Sequence, residues 1–308
     1  MGETMRDSFG KYLVELGAAK RDLVVLDADV SSSTKSSYFA KAYPERFFNV
    51  GVAEANLVDL AAGLATAGLR PVVNAFAIFL ALKSTDQIRN VLAYNKLPVV
   101  VAGAYGGLSD SFDGASHQSI EDVAIMRALP NLQVLVPGDA QEMRMSLDYA
   151  LSQDGPVYLR LTRNEAPTLE ERPGALPITK IRRLAAGEDV TIAATGLCVA
   201  MALKAAELLK VQGKTAEVLD VTCLKPLDAE TLAASVAKTG HLVTAEEHSV
   251  IGGLGSACAE ALAERGIPFC LRRVGVADCF TESGPYDRLL AKYGISAEAI
   301  ARQAASIC

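Results

Sequence analysis

Short apolar runs alternate along this chain with longer amphipathic stretches. Residues 6–19 repeat Phe9, Tyr12, Leu13 and Leu16 at helical spacing, and residues 23–26 form an apolar run ending at Asp27-Ala28-Asp29. Helices are predicted over 53–67, 84–94, 120–128 and 140–151, and strands over 71–76, 98–102, 134–136 and 157–161. The pattern then breaks at 164–176, a polar stretch with two prolines and a glycine. Alternation resumes with strands at 190–194, 216–221, 242–245 and 269–274. Helices follow at 198–211, 229–237 and 254–263, and two more close the chain. The strands of the first half are apolar rather than half polar, which is the mark of a mostly parallel sheet covered on both faces. The expected architecture is α/β with two doubly wound domains, at 1–164 and 186–308, joined by a linker over 165–185.

The length of 308 residues agrees with two domains, each large enough for its own core. Thirty Lys and Arg against 36 Asp and Glu leave a net charge of −6. That balance argues against a general nucleic-acid binder, which carries a basic surface. No apolar run approaches the roughly 18 residues of a membrane span. The opening Met-Gly-Glu-Thr-Met-Arg-Asp lacks the apolar core of a signal peptide, and Asp7 stands where N-myristoylation favours Ser or Thr. The six cysteines all lie in the last third, and none forms a C-x-x-C pair. They are read as reduced, structural thiols, and the expected location is cytoplasmic.

Three segments could carry chemistry. In Asn49-Val-Gly-Val-Ala-Glu54 an extended run ends at glycine and a helix begins. Glu54 either complements the helix dipole or does something more specific. A long glycine-rich loop, residues 103–118, follows the apolar strand at 98–102. Loops at strand carboxyl ends form the ligand sites of parallel sheets, and loops of this length are uncommon unless functional. His117 is the only one of three histidines in such a loop, and histidine suits proton transfer near neutral pH. Phe76 and Phe79, three apart at a strand-to-helix junction, are either core or a stacking surface for a flat heterocycle. There is no His/Cys metal cluster, Walker A loop or G-x-G-x-x-G turn. Gly252-Gly-Leu-Gly255 after Glu246-Glu-His248 reads as tight helix packing or as a second anion site.

Taken together, four runs resemble the transketolase family of thiamine diphosphate enzymes. They are Gly51-Val-Ala-Glu54-Ala-Asn, Pro71-Val-Val-Asn-Ala-Phe76-Ala-Ile-Phe79, Asp86-Gln-Ile-Arg-Asn90 and Asp113-Gly-Ala-Ser-His117-Gln118-Ser-Ile-Glu121. Tyr158-Leu-Arg-Leu-Thr-Arg163 fits as well. The match covers nearly the whole chain in order. The Gly-Asp-Gly … Asn motif that binds diphosphate through magnesium in the family is missing. Pro137-Gly-Asp139-Ala lacks its spacing.

The resemblance therefore implies the C-terminal subunit of a split transketolase, a pyrimidine-binding domain followed by the C-terminal domain. It would work in an α2β2 heterotetramer with an N-terminal subunit that carries the diphosphate and Mg²⁺ domain. The resemblance also implies roles. Glu54 would hydrogen-bond N1′ of the aminopyrimidine and share a proton with it, with Phe76, Phe79 and Asp29 also at the cofactor. His117 would contact substrate hydroxyls and assist proton transfer, and Asp113 would read a sugar hydroxyl. Arg6, Ser33 and Arg163 would hold the terminal phosphate of the sugar. Tyr105 stands where pentose-phosphate transketolases usually have histidine, and Leu82 replaces an aromatic. A modified sugar phosphate or a sulfonated sugar is therefore also open. The implied activity is transfer of a two-carbon ketol unit from a ketose to an aldose. The alternatives are the β-subunit of a 2-oxoacid dehydrogenase and a non-catalytic regulatory paralogue.

Overall fold

The computed structural model describes residues 4–169 and 176–308. The expected features on residues 1–3 and within the 164–176 break lie partly outside these bounds. Among the described residues twelve strands follow one another: β1 (Leu23–Asp27), β2 (Phe47–Asn49), β3 (Arg70–Phe76), β4 (Val100–Ala104), β5 (Gln133–Leu135), β6 (Val157–Arg160), β7 (Arg182–Ala185), β8 (Val190–Ala194), β9 (Ala216–Asp220), β10 (Cys223–Lys225), β11 (His241–Ser249) and β12 (Cys270–Val276). They form two sheets in the orders β10-β5-β6-β4-β3-β1-β2 and β12-β11-β8-β9-β7. Every pairing is parallel except β10 with β5 and β7 with β9. β1, β4, β6, β8 and β9 are buried along their whole length, in keeping with their mainly apolar sequences.

The linker predicted over 165–185 is too long at its C-terminal end, because β7 belongs to the second sheet. Its Arg-Arg-Leu-Ala sequence has no apolar run to betray it. It is held by Arg182, whose guanidinium pairs with Asp220 at 3.1 Å and Glu142 at 3.3 Å. The unforeseen strand β10 is contributed by the second half of the chain to the edge of the first sheet. One apolar core accordingly runs from Leu26 and Val73 to Leu219 and Leu254.

Local chemistry fixes the helix starts. Thr4 Oγ accepts from Asp7 N–H at the head of Met5–Ala19. Asp139 accepts from Glu142 N–H at 2.8 Å and from Leu169 N–H at 2.8 Å, so Pro137-Gly-Asp139 is a helix cap. The Gly252–Gly255 run also proves to be packing. Glu246 accepts from Leu254 and Gly255 N–H at the head of Leu254–Glu264, and a β-carbon on Gly253 would fall 1.9 Å from its carboxylate. The protein supplies its own anion at that helix end. Cys198, Cys223 and Cys258 are buried, Cys279 is exposed, and all six thiols are free. Among the described residues no helix is long and apolar enough to cross a membrane.

Candidate active site

The carboxyl ends of β1, β3, β4 and β6 lie side by side in the first sheet, and the segments leaving them converge. β3 ends at Phe76, which opens the helix Ala77–Lys83. β4 runs into Tyr105 and the glycine-rich loop. Beyond β6 the chain reaches Arg163.

At one end of the site is a carboxylate with aromatic rings. Glu54 is the first residue of Glu54–Thr66 and is only 5% exposed. Its Oε1 meets Lys83 Nζ at 3.1 Å, and the same ammonium sits 4.1 Å from the centroid of the Phe79 ring. The His117 ring stands edge-on to Phe79 at 5.1 Å and to Phe76 at 6.0 Å, with Ser116 Oγ 3.0 Å from Nδ1. A buried carboxylate beside a half-buried phenyl face is what a flat heterocycle with a basic ring nitrogen requires. Val52 and Leu82, next to these residues in sequence, are largely exposed.

At the other end are two arginines. Tyr105 is buried at φ +61°, an uncommon conformation for a bulky residue, and its ring stacks on Phe76 at 4.7 Å and 15°. Its hydroxyl accepts from Arg6 Nη1 at 2.6 Å. The guanidinium carbons of Arg6 and Arg163 lie 5.7 and 5.2 Å from its centroid. Arg6 also reaches the Ser33 carbonyl at 3.4 Å, and Arg163 pairs with Asp110 at 3.2 Å. Arg6 Nε is buried without an acceptor among the described residues. Burial, reinforced by the neighbouring Asp113 carboxylate, raises Asp110 to about 6, against the pull of Arg163 and His117.

The structure thus brings Glu54, Phe76, Phe79, His117, Asp113, Arg163, Arg6 and Ser33 to one edge. Asp29 precedes Val30, which packs against Phe76 and Tyr105. It is exposed at φ +65° and accepts from Asn49 Nδ2, whose Oδ1 in turn accepts from Gly51 N–H ahead of the Glu54 helix.

A scaffold behind the loop fixes it. Arg160 donates to Asp122 through Nε at 2.8 Å and Nη2 at 3.1 Å. Its Nη2 also reaches the carbonyls of Ser119 and Glu247. Tyr158 donates to the same aspartate at 2.6 Å. Glu247, from β11, accepts from Leu108 N–H in the loop and from Tyr286 O–H. Gly107, at φ +68°, is required there because a β-carbon would lie 2.5 Å from the Glu247 carboxylate.

The pyrimidine-binding domain of transketolase matches residues 2–168, and the transketolase C-terminal domain matches residues 179–300. This chain belongs to the transketolase family. It is similar to a Methanocaldococcus jannaschii protein assigned by name as a transketolase C-terminal section. The two are 43% identical over 301 residues, covering 97% of this chain and 94% of that one. It is also similar to the 6-deoxy-6-sulfo-D-fructose transketolase subunit SqwH of a Clostridium species, 43% identical over 300 residues, covering 97% and 93%. Among solved structures, a split-gene transketolase described as an inactive β4 tetramer superposes with a TM-score of 0.90 at 46% identity, covering 100% of this chain and 98% of that one.

Within this transketolase chain, sequence reasoning missed Lys83, Asp110 and Glu247 as neighbours of the site. Lys83 follows Phe79 by four residues, so helical spacing could have placed it beside the ring. Asp110 sits in the glycine-rich loop as one acidic residue among polar ones. Glu247 comes from the other sheet, and no local pattern announces it.

Proposed function

We propose that this chain is the C-terminal subunit of a transketolase, moving a two-carbon ketol unit from a ketose to an aldose that carry a terminal anion. The observation that carries the reading is the buried Glu54 carboxylate beside Phe79 and His117, linked through the Phe76 and Tyr105 rings to the Arg6–Arg163 pair. Glu54, Phe76 and Phe79 fit the aminopyrimidine of thiamine diphosphate. That group, when bound, supplies the carbanion chemistry that breaks and makes the carbon–carbon bond. Glu54 would hold the proton exchanged with the ring nitrogen of the bound group. Lys83 pairs with the carboxylate in the chain described here.

His117 holds the sugar hydroxyl at the reacting end and moves its proton. Asp113 orients a second hydroxyl. Arg6, Arg163 and Ser33 receive the terminal anion, and the unsatisfied Arg6 Nε supports this assignment. Among the described residues no group of His, Cys, Asp and Glu could hold a metal ion. The Mg²⁺ ligands and the diphosphate site are assigned to an N-terminal partner subunit in an α2β2 assembly. The exposed Val52 and Leu82 beside Glu54 suit a face covered by that subunit. The family relationship favours this reading over a 2-oxoacid dehydrogenase subunit.

The test is Glu54→Gln. The amide keeps a hydrogen bond to the ring nitrogen and cannot exchange its proton. In the assembled enzyme, hydrogen–deuterium exchange at C2 of the cofactor should slow sharply and most activity should disappear. Exchange at the wild-type rate would reduce Glu54 to a helix-dipole carboxylate.

A further inference from the structure

The glycine-rich loop has two faces. Asp113 is exposed and His117 half-buried, whereas Ser111, Gly114 and Gln118 are buried beneath them. Packed against that underside are residues 281–284 of the second domain, an irregular segment between β12 and the helix Tyr286–Lys292. Gly284 N–H donates to the Ser111 carbonyl at 2.9 Å. Ser283 comes so close to Gly114 that a β-carbon there would fall 2.3 Å from its Oγ. Between the two segments stands the Gln118 carboxamide, 1% exposed and with both its polar atoms engaged. Its Oε1 accepts from Thr281 Oγ1, and its Nε2 donates to the carbonyls of Glu282 at 3.1 Å and Ser111 at 3.4 Å. Accepting at one atom while donating twice from the other is what a carboxamide can do and a carboxylate cannot. His117, the preceding residue, is held differently. Among the described residues its ring has one hydrogen-bonding partner, Ser116 Oγ of the same loop. His117 N–H and Gln118 N–H both donate to the Gly114 carbonyl, at 2.9 and 3.0 Å. The imidazole therefore stands where this turn puts it, and the turn is fixed from beneath through Gln118.

We propose that residues 281–284 of the second domain brace the reacting end of the site, with Thr281 and Gln118 as positioning residues that set where His117 presents its imidazole to the sugar. The inference rests on the reading of His117 above as the group that holds the sugar hydroxyl. It gives the second domain, which supplies none of the residues assigned to substrate, a part in the reaction. Without the Thr281 hydroxyl, Gln118 Oε1 is buried with no donor, and the carboxamide and the turn above it shift to find one. A displacement of about an ångström at a reacting group costs on the order of a hundredfold in rate. Leu108, nearer the start of the loop, is held separately by Glu247. Loss of the brace therefore loosens the turn at 114–118 without releasing the loop.

The experiment compares Thr281→Val, Thr281→Ser, Gln118→Met and His117→Ala in the assembled two-subunit holoenzyme. It reads ketol transfer from a ketose phosphate to an aldose phosphate, and thiamine diphosphate affinity. Thr281→Val keeps the shape of the side chain and removes its donor. It should lower kcat/KM by roughly ten- to a hundredfold with cofactor affinity at the wild-type value. Thr281→Ser, which keeps the hydroxyl, should restore most of the loss. Added to His117→Ala, Thr281→Val should cost less than about twofold more, because no imidazole is left to place. Gln118→Met should behave as Thr281→Val does, and Thr281→Val decides the matter if Gln118→Met fails to assemble. Wild-type kcat/KM in Thr281→Val, a parallel loss of cofactor affinity, or losses that multiply in the double variant overturns the proposal. Wild-type kcat/KM in His117→Ala overturns instead the reading of His117 itself, a result distinguishable from failure of the brace alone.

Discussion

Glu247 makes the stability of this protein depend on pH in a way one substitution should remove. Its carboxyl joins the glycine-rich loop to the second sheet, accepting from Leu108 N–H at 2.7 Å and Tyr286 O–H at 2.7 Å. Burial raises it from 4.5 to about 7, with the Arg160 guanidinium opposing. The folded chain therefore holds this proton more tightly than the unfolded chain. The corresponding stability is fully present below pH 4.5 and is lost as pH rises through about 7. The rise corresponds to about 3 kcal/mol. In Glu247→Gln the amide oxygen can accept from Leu108 and the amide N–H can donate to Tyr286, and nothing titrates. Urea unfolding of both proteins, followed by circular dichroism from pH 4.5 to 8, measures the difference. It should be near zero at the acid end, and the variant should be the more stable by about 2–3 kcal/mol at pH 8. Asp110 and Asp27, each raised to about 6, titrate in both proteins and cancel. A difference that stays constant with pH would refute the reasoning.

Two substrate-side substitutions separate roles within the assembled enzyme. Arg163→Ala should raise KM for anionic sugars by about ten- to a hundredfold, the worth of a charge-assisted hydrogen bond, and leave uncharged analogues nearly unaffected. Steady-state kinetics with paired donors checks it, and equal losses would make Arg163 structural. His117→Ala should lower kcat/KM by roughly 10²–10⁴-fold with thiamine diphosphate affinity almost unchanged. A parallel loss of cofactor affinity would make His117 a brace for its loop.

The two-domain α/β plan was readable because strands covered on both faces are mainly apolar rather than alternating, as β1, β4 and β8 are. The long loop after β4 was readable because a parallel sheet sends such loops to its ligand-binding edge. The convergence of Arg6, Ser33 and Arg163, 157 positions apart at the extremes, entered through family resemblance, since nothing local joins them. β7 and β10 were hidden because short, partly polar edge strands have no periodic signature. The contact of Lys83 with Glu54 and that of Glu247 with Leu108 are tertiary. They depend on which strands become neighbours, information that no window of sequence holds. Tyr105 was visible as an unusual residue, but its positive φ and its place under two guanidiniums were not.

The central claim is that this chain supplies the pyrimidine side of a site completed by another subunit. The most direct measurement is ketol transfer by the purified chain, by a partner subunit carrying the Gly-Asp-Gly … Asn motif, and by their mixture, each with Mg²⁺ and thiamine diphosphate. Turnover is expected in the mixture alone, lost again when the chain carries Glu54→Gln. Robust ketol transfer by this chain without the partner would contradict it.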